Sequence, residues 1–335
     1  VQPVYDGQDE ARVIGERIEY HSAKGVAFAG MAILMRASHQ TRAFEERLNT
    51  IGVPYRIVGG LRFYERAEVK DAIAYLRLIY QPRDDMAFER VINVPRRGIG
   101  PGAMQQLHEM ARYNDSALLP VVAATGALKA LRPNVRQSLE TFARQIAHWR
   151  SLSNTVPPHE LVQTVLDESG YTAMLLEDKS PEAPGKLENL KELASALREF
   201  ETLAGFLEHV GLVLEMGGNE NPDKVTLMTL HAAKGLEYDI VFLPGWEEGI
   251  FPNTRAIEES GEAGLEEERR LAYVGITRAR KLAMITYARS RRLYNQWQYL
   301  APSRFLKELP RDHVERAAME DAPEGSFGLS HSLLR

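Results

Sequence analysis

At 335 residues the chain is longer than one ordinary hydrophobic core and suits two domains, and its 44% hydrophobic and 26% charged residues belong to a soluble globular protein. Zero cysteines exclude disulfides, thiolate metal sites and cysteine nucleophiles, and the nine histidines show no His-x-x-x-His spacing, so no structural metal is expected. The net charge of −5 argues by itself against a nucleic-acid binder; no apolar run approaches the ~18 residues of a membrane span and no signal-type segment opens the chain, which predicts a cytoplasmic protein.

Residues 1–80 read as alternating helix and strand. Residues 9–24 are helical with Ala11, Ile14 and Ile18 on one face, and Gly25 ends the helix. A buried strand at 31–35, a helix at 40–51 carrying Phe44, Leu48 and Ile51, and a strand at 53–58 follow. This β-α-β order predicts a parallel sheet. A helix at 67–80 then turns Val69, Ile73 and Leu76 inward and stops before Pro82. From 81 to 216 strand-like alternation disappears, and helices are expected at 85–92, 101–113, 134–152, 158–169 and 187–215. The polar, turn-rich segment 217–223 is a linker. Strands resume at 224–230, 239–243 and 282–288, in a second α/β part running to 310, and residues 311–335 look like a flexible tail. An all-helical block thus interrupts an α/β domain.

Charge is unevenly spread. Residues 258–268 hold six glutamates and no base, whereas residues 269–292 hold eight Arg/Lys and no acid, which suggests a phosphate-facing surface.

Chemistry-bearing residues cluster in two segments. In Thr226 to Glu237 (TLMTLHAAKGLE) a β-branched apolar run stops at a loop carrying His231, Lys234 and Glu237, and another strand follows at once. In Glu266 to Arg280 (EEERRLAYVGITRAR), Arg270, Val274 and Arg278 recur at i, i+4, i+8 and share a helix face, so Arg278 can point off the helix end as a phosphate clamp. A complete NTPase site needs more. The phosphate loop Gly-x-x-x-x-Gly-Lys-Ser/Thr is absent: Gly185-Lys186 is followed by leucine, and Lys234-Gly235 has the wrong order. No strand ends in paired magnesium-binding acids either, since Pro244-Gly245 separates the strand from Glu247 and Glu248. The chain alone is not expected to hydrolyse ATP.

Both segments resemble, almost letter for letter and at matching spacing, motifs V and VI of the UvrD/PcrA/Rep group of superfamily 1 DNA helicases. The resemblance covers about residues 4–310. It implies a RecA-like domain, 2A, interrupted by a helical insertion, 2B, with the amino-terminal RecA-like domain as partner and ATP with Mg²⁺ bound in the intact enzyme. By the same resemblance Arg278 is an arginine finger on the γ-phosphate, Glu237 contacts the nucleotide ribose, His231 contacts single-stranded DNA, and Lys234 lies where a cation could bridge both ligands. Arg36 and Ser38, after the strand at 31–35, match a motif that gives an arginine and often an asparagine to the DNA strand; serine departs from that pattern, as Met35 does from a common tyrosine. Tyr294 matches a base-stacking aromatic, and Trp297 reads as core. In the insertion, Arg96, Arg97, Gly98, Ile99 and Gly100 resemble a helix-hairpin-helix turn, whose backbone N–H groups approach a duplex phosphate. Arg62 and Arg66, in a matching segment at 59–71, are further DNA candidates, although its glycines could serve only a hinge.

The leading expectation is therefore the carboxy-terminal half of an ATP-dependent 3′-to-5′ helicase of DNA repair. Its rival is a stand-alone DNA-binding or regulatory module without motor activity. The chain opens at Val1, at a domain joint, as an excised piece would. An enzyme with its own complete site has little support, because no nucleophile-base pair or metal cluster stands out.

Overall fold

The structure, a computed structural model, describes residues 1–124, 128, 131–216, 222–293 and 296–317. Two compact units emerge: Val1–Gly60 together with Asn219–Arg335, and Leu61–Gly218. No helix among the described residues is long and apolar enough to cross a membrane.

The first unit opens with β1 (Gln2–Val4), α1 (Gly7–Ala23), β2 (Met31–Met35), α2 (Thr41–Thr50) and β3 (Tyr55–Ile57). Asp6 starts α1 by accepting the backbone N–H groups of Gln8 and Asp9. The chain then enters the second unit and forms α3 (Ala67–Tyr80), α4 (Asp85–Val91), α5 (Pro101–Tyr113), α6 (Leu118–Ala123), α7 (Pro133–Leu152), α8 (Pro158–Glu168), α9 (Tyr171–Glu177), α10 (Ala183–Ala196) and α11 (Leu203–Met216). It returns to the first through β4 (Val225–Thr229), β5 (Tyr238–Leu243), α12 (Thr254–Thr277), β6 (Ala279–Ala288) and a hairpin, β7 (Ser290–Leu293) with β8 (Gln296–Tyr299).

Six strands make one sheet in the order β1-β6-β5-β2-β4-β3, and every pair is parallel. This is the α/β, RecA-like architecture. Along β2 the pleat sends Ala32 and Leu34 to a core with Leu243, Leu271 and Ala272, and Ile33 and Met35 to a core with Ile14, Ile18, Phe44 and Leu48. Hence α12 covers one face and α1 with α2 the other, which is why β2 is apolar throughout.

Three expectations need correction. The helix at 67–80 belongs to the second unit, not the first, because Val69, Ala72, Ile73 and Leu76 share a core with Phe88, Phe142, Trp149 and Phe206. The helix expected at 187–215 is two: α10 tightens into a 3-10 turn at Leu197–Glu199, and α11 restarts where the Thr202 hydroxyl accepts the Gly205 N–H at 3.1 Å. Finally, residues 311–317 are not loose: the Val1 ammonium donates to the Glu315 carbonyl at 2.6 Å and the Ala317 N–H to the Val1 carbonyl at 2.9 Å.

One buried polar knot ties the hairpin to the sheet. The Arg291 guanidinium reaches Glu247 through Nε at 2.8 Å and Glu10 through Nη2 at 2.5 Å. Glu10 also accepts the Gly245 N–H at 3.0 Å and the Thr286 hydroxyl at 2.6 Å. Both carboxylates are buried, and burial pushes Glu247 above the ordinary carboxylate range despite the arginine beside it. Replacing Arg291 with methionine should leave two acids uncompensated and cost about 3–5 kcal/mol. Denaturant unfolding checks this, and a loss below about 1 kcal/mol would contradict the role assigned to the knot.

Candidate functional site

In a parallel sheet all strands end at one edge, and here that carboxyl edge gathers the DNA candidates. Arg36 follows β2 directly, His231 lies two residues past β4, and the Leu230 N–H donates to the Met35 carbonyl at 2.8 Å, so the two strand ends are bonded together. Arg36 is held by Glu268 of α12: Nε lies 2.8 and 2.9 Å from the two carboxylate oxygens and Nη2 is 2.7 Å from the first. Glu268 also accepts the Asn253 N–H at 2.9 Å. Ser38 is exposed and opens a 3-10 turn, Ser38–Gln40, in which Gln40 accepts the Ala37 N–H. The His231 imidazole sits below the ordinary histidine value of 6.5, first because neighbouring atoms screen the ring from water and next because Arg36 opposes a second positive charge; Glu268 and Glu267 pull weakly the other way.

The opposite, amino edge gathers the nucleotide candidates. Glu237 immediately precedes β5 and Arg278 immediately precedes β6, its neighbour in the sheet. The Tyr238 N–H donates to the Arg278 carbonyl at 2.9 Å. The guanidinium of Arg278 does not project freely from the helix end. Its Nε donates to the Val274 carbonyl at 3.1 Å, Nη1 to the Leu236 carbonyl at 3.0 Å and Nη2 to the Thr277 hydroxyl at 3.1 Å. A guanidinium has five N–H donors, so two remain without a partner among the described residues. Glu237 is exposed and takes Arg280 at 3.1 Å; such an exposed pair contributes little. Its carboxylate can therefore exchange that partner for a hydroxyl donor.

Two elements connect the edges. The loop of residues 230–237 starts at the carboxyl edge and finishes at the amino edge, with Ala233 buried and Lys234 exposed midway. Helix α12 makes the same crossing: ten residues separate Glu268 from Arg278, about 15 Å at 1.5 Å per residue. Its buried stripe is Gly264, Glu268, Leu271, Ala272 and Gly275. A side chain at Gly275 would stand 2.7 Å from Leu230 and 3.0 Å from Leu243, so this glycine lets α12 press against the loop and β5.

Much of the basic run at 269–292 is paired with acids rather than standing free as its charge suggests. Arg269 pairs with Glu308 and Glu266, Arg270 with Glu267, Arg280 with Glu237, Lys281 with Asp239, and Arg291 lies in the buried knot. Sequence order hid these partners because most lie far along the chain. Glu268 was missed for a related reason. It stands in an acidic run that reads as solvated, and only its helical register with Gly264, Leu271 and Gly275 marks it as inward.

Candidates in the second unit divide. Arg66 is buried, with Nη1 on the Asn189 side-chain oxygen at 2.7 Å, so it braces the fold rather than facing a ligand. Arg62 pairs with Glu65 at 2.7 Å. Arg97 turns inward, donating to the carbonyls of Val91 and Pro95 at 3.0 and 3.1 Å and to the Tyr75 hydroxyl at 2.9 Å, over the Phe142 ring. Ile99 is buried too. Arg96, Gly98 and Gly100 are exposed, and Gly100 caps α5, so an outward backbone turn remains. Tyr294 lies outside the described residues. Trp297, expected in the core, is 58% exposed and Tyr299 is 89% exposed; two residues apart on β8, they share one face of the hairpin.

The family described as UvrD-like helicase C-terminal domain matches residues 1–290, and the chain belongs to that family. Among similar proteins, the DNA helicase II of Rickettsia typhi is 45% identical over 317 residues, covering 93% of this chain and 48% of the relative. The DNA helicase II of Escherichia coli K12 is 41% identical over 93% of this chain and 44% of its own length. The ATP-dependent DNA helicase PcrA of Staphylococcus epidermidis is 39% identical over 92% and 43%. The chain thus spans about half the length of the curated relatives it matches.

A depressed histidine binds its proton less readily folded than unfolded, so its contribution to stability is present above pH 6.5 and is lost as pH falls through the folded value. An NMR titration of the imidazole should place His231 below 6.5; a midpoint at or above that would contradict the screening of the ring from water together with the opposition of Arg36.

Proposed function

We propose that this chain is the carboxy-terminal half of an ATP-dependent 3′-to-5′ DNA helicase of the UvrD type that serves DNA repair. The observation that carries the reading is that Arg36 and His231 stand at the carboxyl edge of one sheet while Glu237 and Arg278 stand at its amino edge. The relatives' names, DNA helicase II and PcrA, and their greater length support the same reading.

In this account a preceding RecA-like domain holds ATP and Mg²⁺ through its own phosphate loop and paired acids. Arg278 completes that site from across the cleft. Its guanidinium is already oriented by the carbonyls of Val274 and Leu236, and the two remaining N–H groups meet the charge that develops on the γ-phosphoryl. Glu237 exchanges Arg280 for a ribose hydroxyl. On the other edge Arg36 takes a phosphate of the single strand, His231 donates as a neutral imidazole, and Ser38 lends a hydroxyl. Lys234 lies in the loop between the edges and adds positive charge. The helical unit acts as the 2B insertion, meeting a duplex through the exposed backbone of Gly98 and Gly100 with Arg96, while Arg97 and Ile99 keep that turn in shape. Tyr294 is assigned to base stacking.

In the intact helicase, Arg278→Ala should lower the DNA-stimulated ATPase kcat by roughly 10³-fold or more with little change in DNA affinity. Steady-state kinetics test this. An unchanged kcat would remove Arg278 from the reaction. Arg36→Gln should instead weaken single-strand binding and reduce the slope of log K against log salt by about 0.7, whereas His231→Gln at pH 7.5 should leave that slope alone because a neutral imidazole displaces no counterion. Equal slopes for Arg36→Gln and the parent protein would contradict the phosphate contact.

A further inference from the structure

We propose that Glu268 is the positioning residue of the DNA edge, holding the Arg36 guanidinium so that its outer side meets a single-strand phosphate. The proposal rests on the assignment of Arg36 to single-stranded DNA.

Glu268 differs from its neighbours. The other glutamates between 258 and 268 are exposed, whereas the Glu268 side chain is 2% exposed. A carboxylate that deep is costly unless it is paired and fully hydrogen-bonded, and Glu268 has both forms of compensation: the Arg36 fork and the Asn253 N–H. The fork occupies one side of the guanidinium through Nε and Nη2. A planar guanidinium held on one side offers its remaining N–H groups at a fixed angle. Arginine loses much rotamer freedom when it binds, and prior clamping removes most of that cost from the binding step. The carboxylate is itself rigid, because Leu271, Ala272 and Gly275 seat α12 on the sheet. Arg36 is thus ordered before any ligand arrives.

The sign of the effect makes the test decisive. An acid that merely lies near a DNA site repels the phosphates, so its removal should tighten binding. A positioning acid predicts the reverse. Anisotropy of a labelled oligo-dT should show that Glu268→Gln weakens binding about tenfold and lowers the salt slope as Arg36→Gln does, and that the double variant is no weaker than Arg36→Gln alone. Equal or tighter binding by Glu268→Gln, or additive losses in the double variant, would overturn the proposal. Should Glu268→Gln fail to fold, Glu268→Asp keeps the charge but withdraws it by one methylene: a several-fold loss with intact helix content supports positioning, and parental affinity refutes it. If the parent chain and Arg36→Gln are both silent toward oligo-dT, the DNA assignment of Arg36 falls, and this proposal with it. Binding by the parent with no effect of Glu268 removes only the positioning role.

Discussion

Parallel pairing obliges a chain to cross its sheet after each strand, because the next strand must start at the edge where the last one began. Everything distinctive about this molecule follows from how two of those crossings are used. The first, from β4 to β5, is a loop with His231 at its start and Glu237 at its end. The second, from β5 to β6, is α12, with Glu268 near one edge and Arg278 at the other. Each crossing delivers one side chain to each edge, so the two proposed ligand sites would share rigid elements without sharing a surface.

Arginine is the residue proposed to meet phosphate at both edges, yet several arginines here are structural. Arg66, Arg97 and Arg291 satisfy buried carbonyls or carboxylates and brace the fold. Arg36 and Arg278 combine both uses. Each spends part of its fork on the protein, Arg36 on a buried acid and Arg278 on two carbonyls, and keeps other N–H groups for a ligand. This partial commitment fixes orientation at little further entropic cost when a phosphate arrives. It also separates these residues from Arg270, whose partner among the described residues is an exposed acid one turn away.

The sequence displayed the sheet well, because β2, β4 and β5 are short apolar runs buried on both faces and their periods leave no alternative. It displayed the candidate loop through residue types that have no business in a core, His231 and Glu237 above all, and both are exposed. What it hid was partnership over distance. The basic run looked free because its acids, such as Glu10, Glu247 and Glu308, stand elsewhere in the chain. Trp297 looked buried because tryptophan usually is, and a two-stranded hairpin has no second layer to cover it. The helix at 67–80 looked like part of the α/β domain because it follows β3 directly, while its apolar face fits the helical core.

The central claim is that nucleotide and single strand meet opposite edges of the same sheet. A crystal structure of the intact helicase with a short oligo-dT and a non-hydrolysable ATP analogue tests it most directly. The account predicts the γ-phosphate within hydrogen-bond distance of Arg278 and a DNA phosphate within hydrogen-bond distance of Arg36, with Glu268 still on the guanidinium. Finding both ligands at one edge, or the nucleotide remote from Arg278, would contradict it.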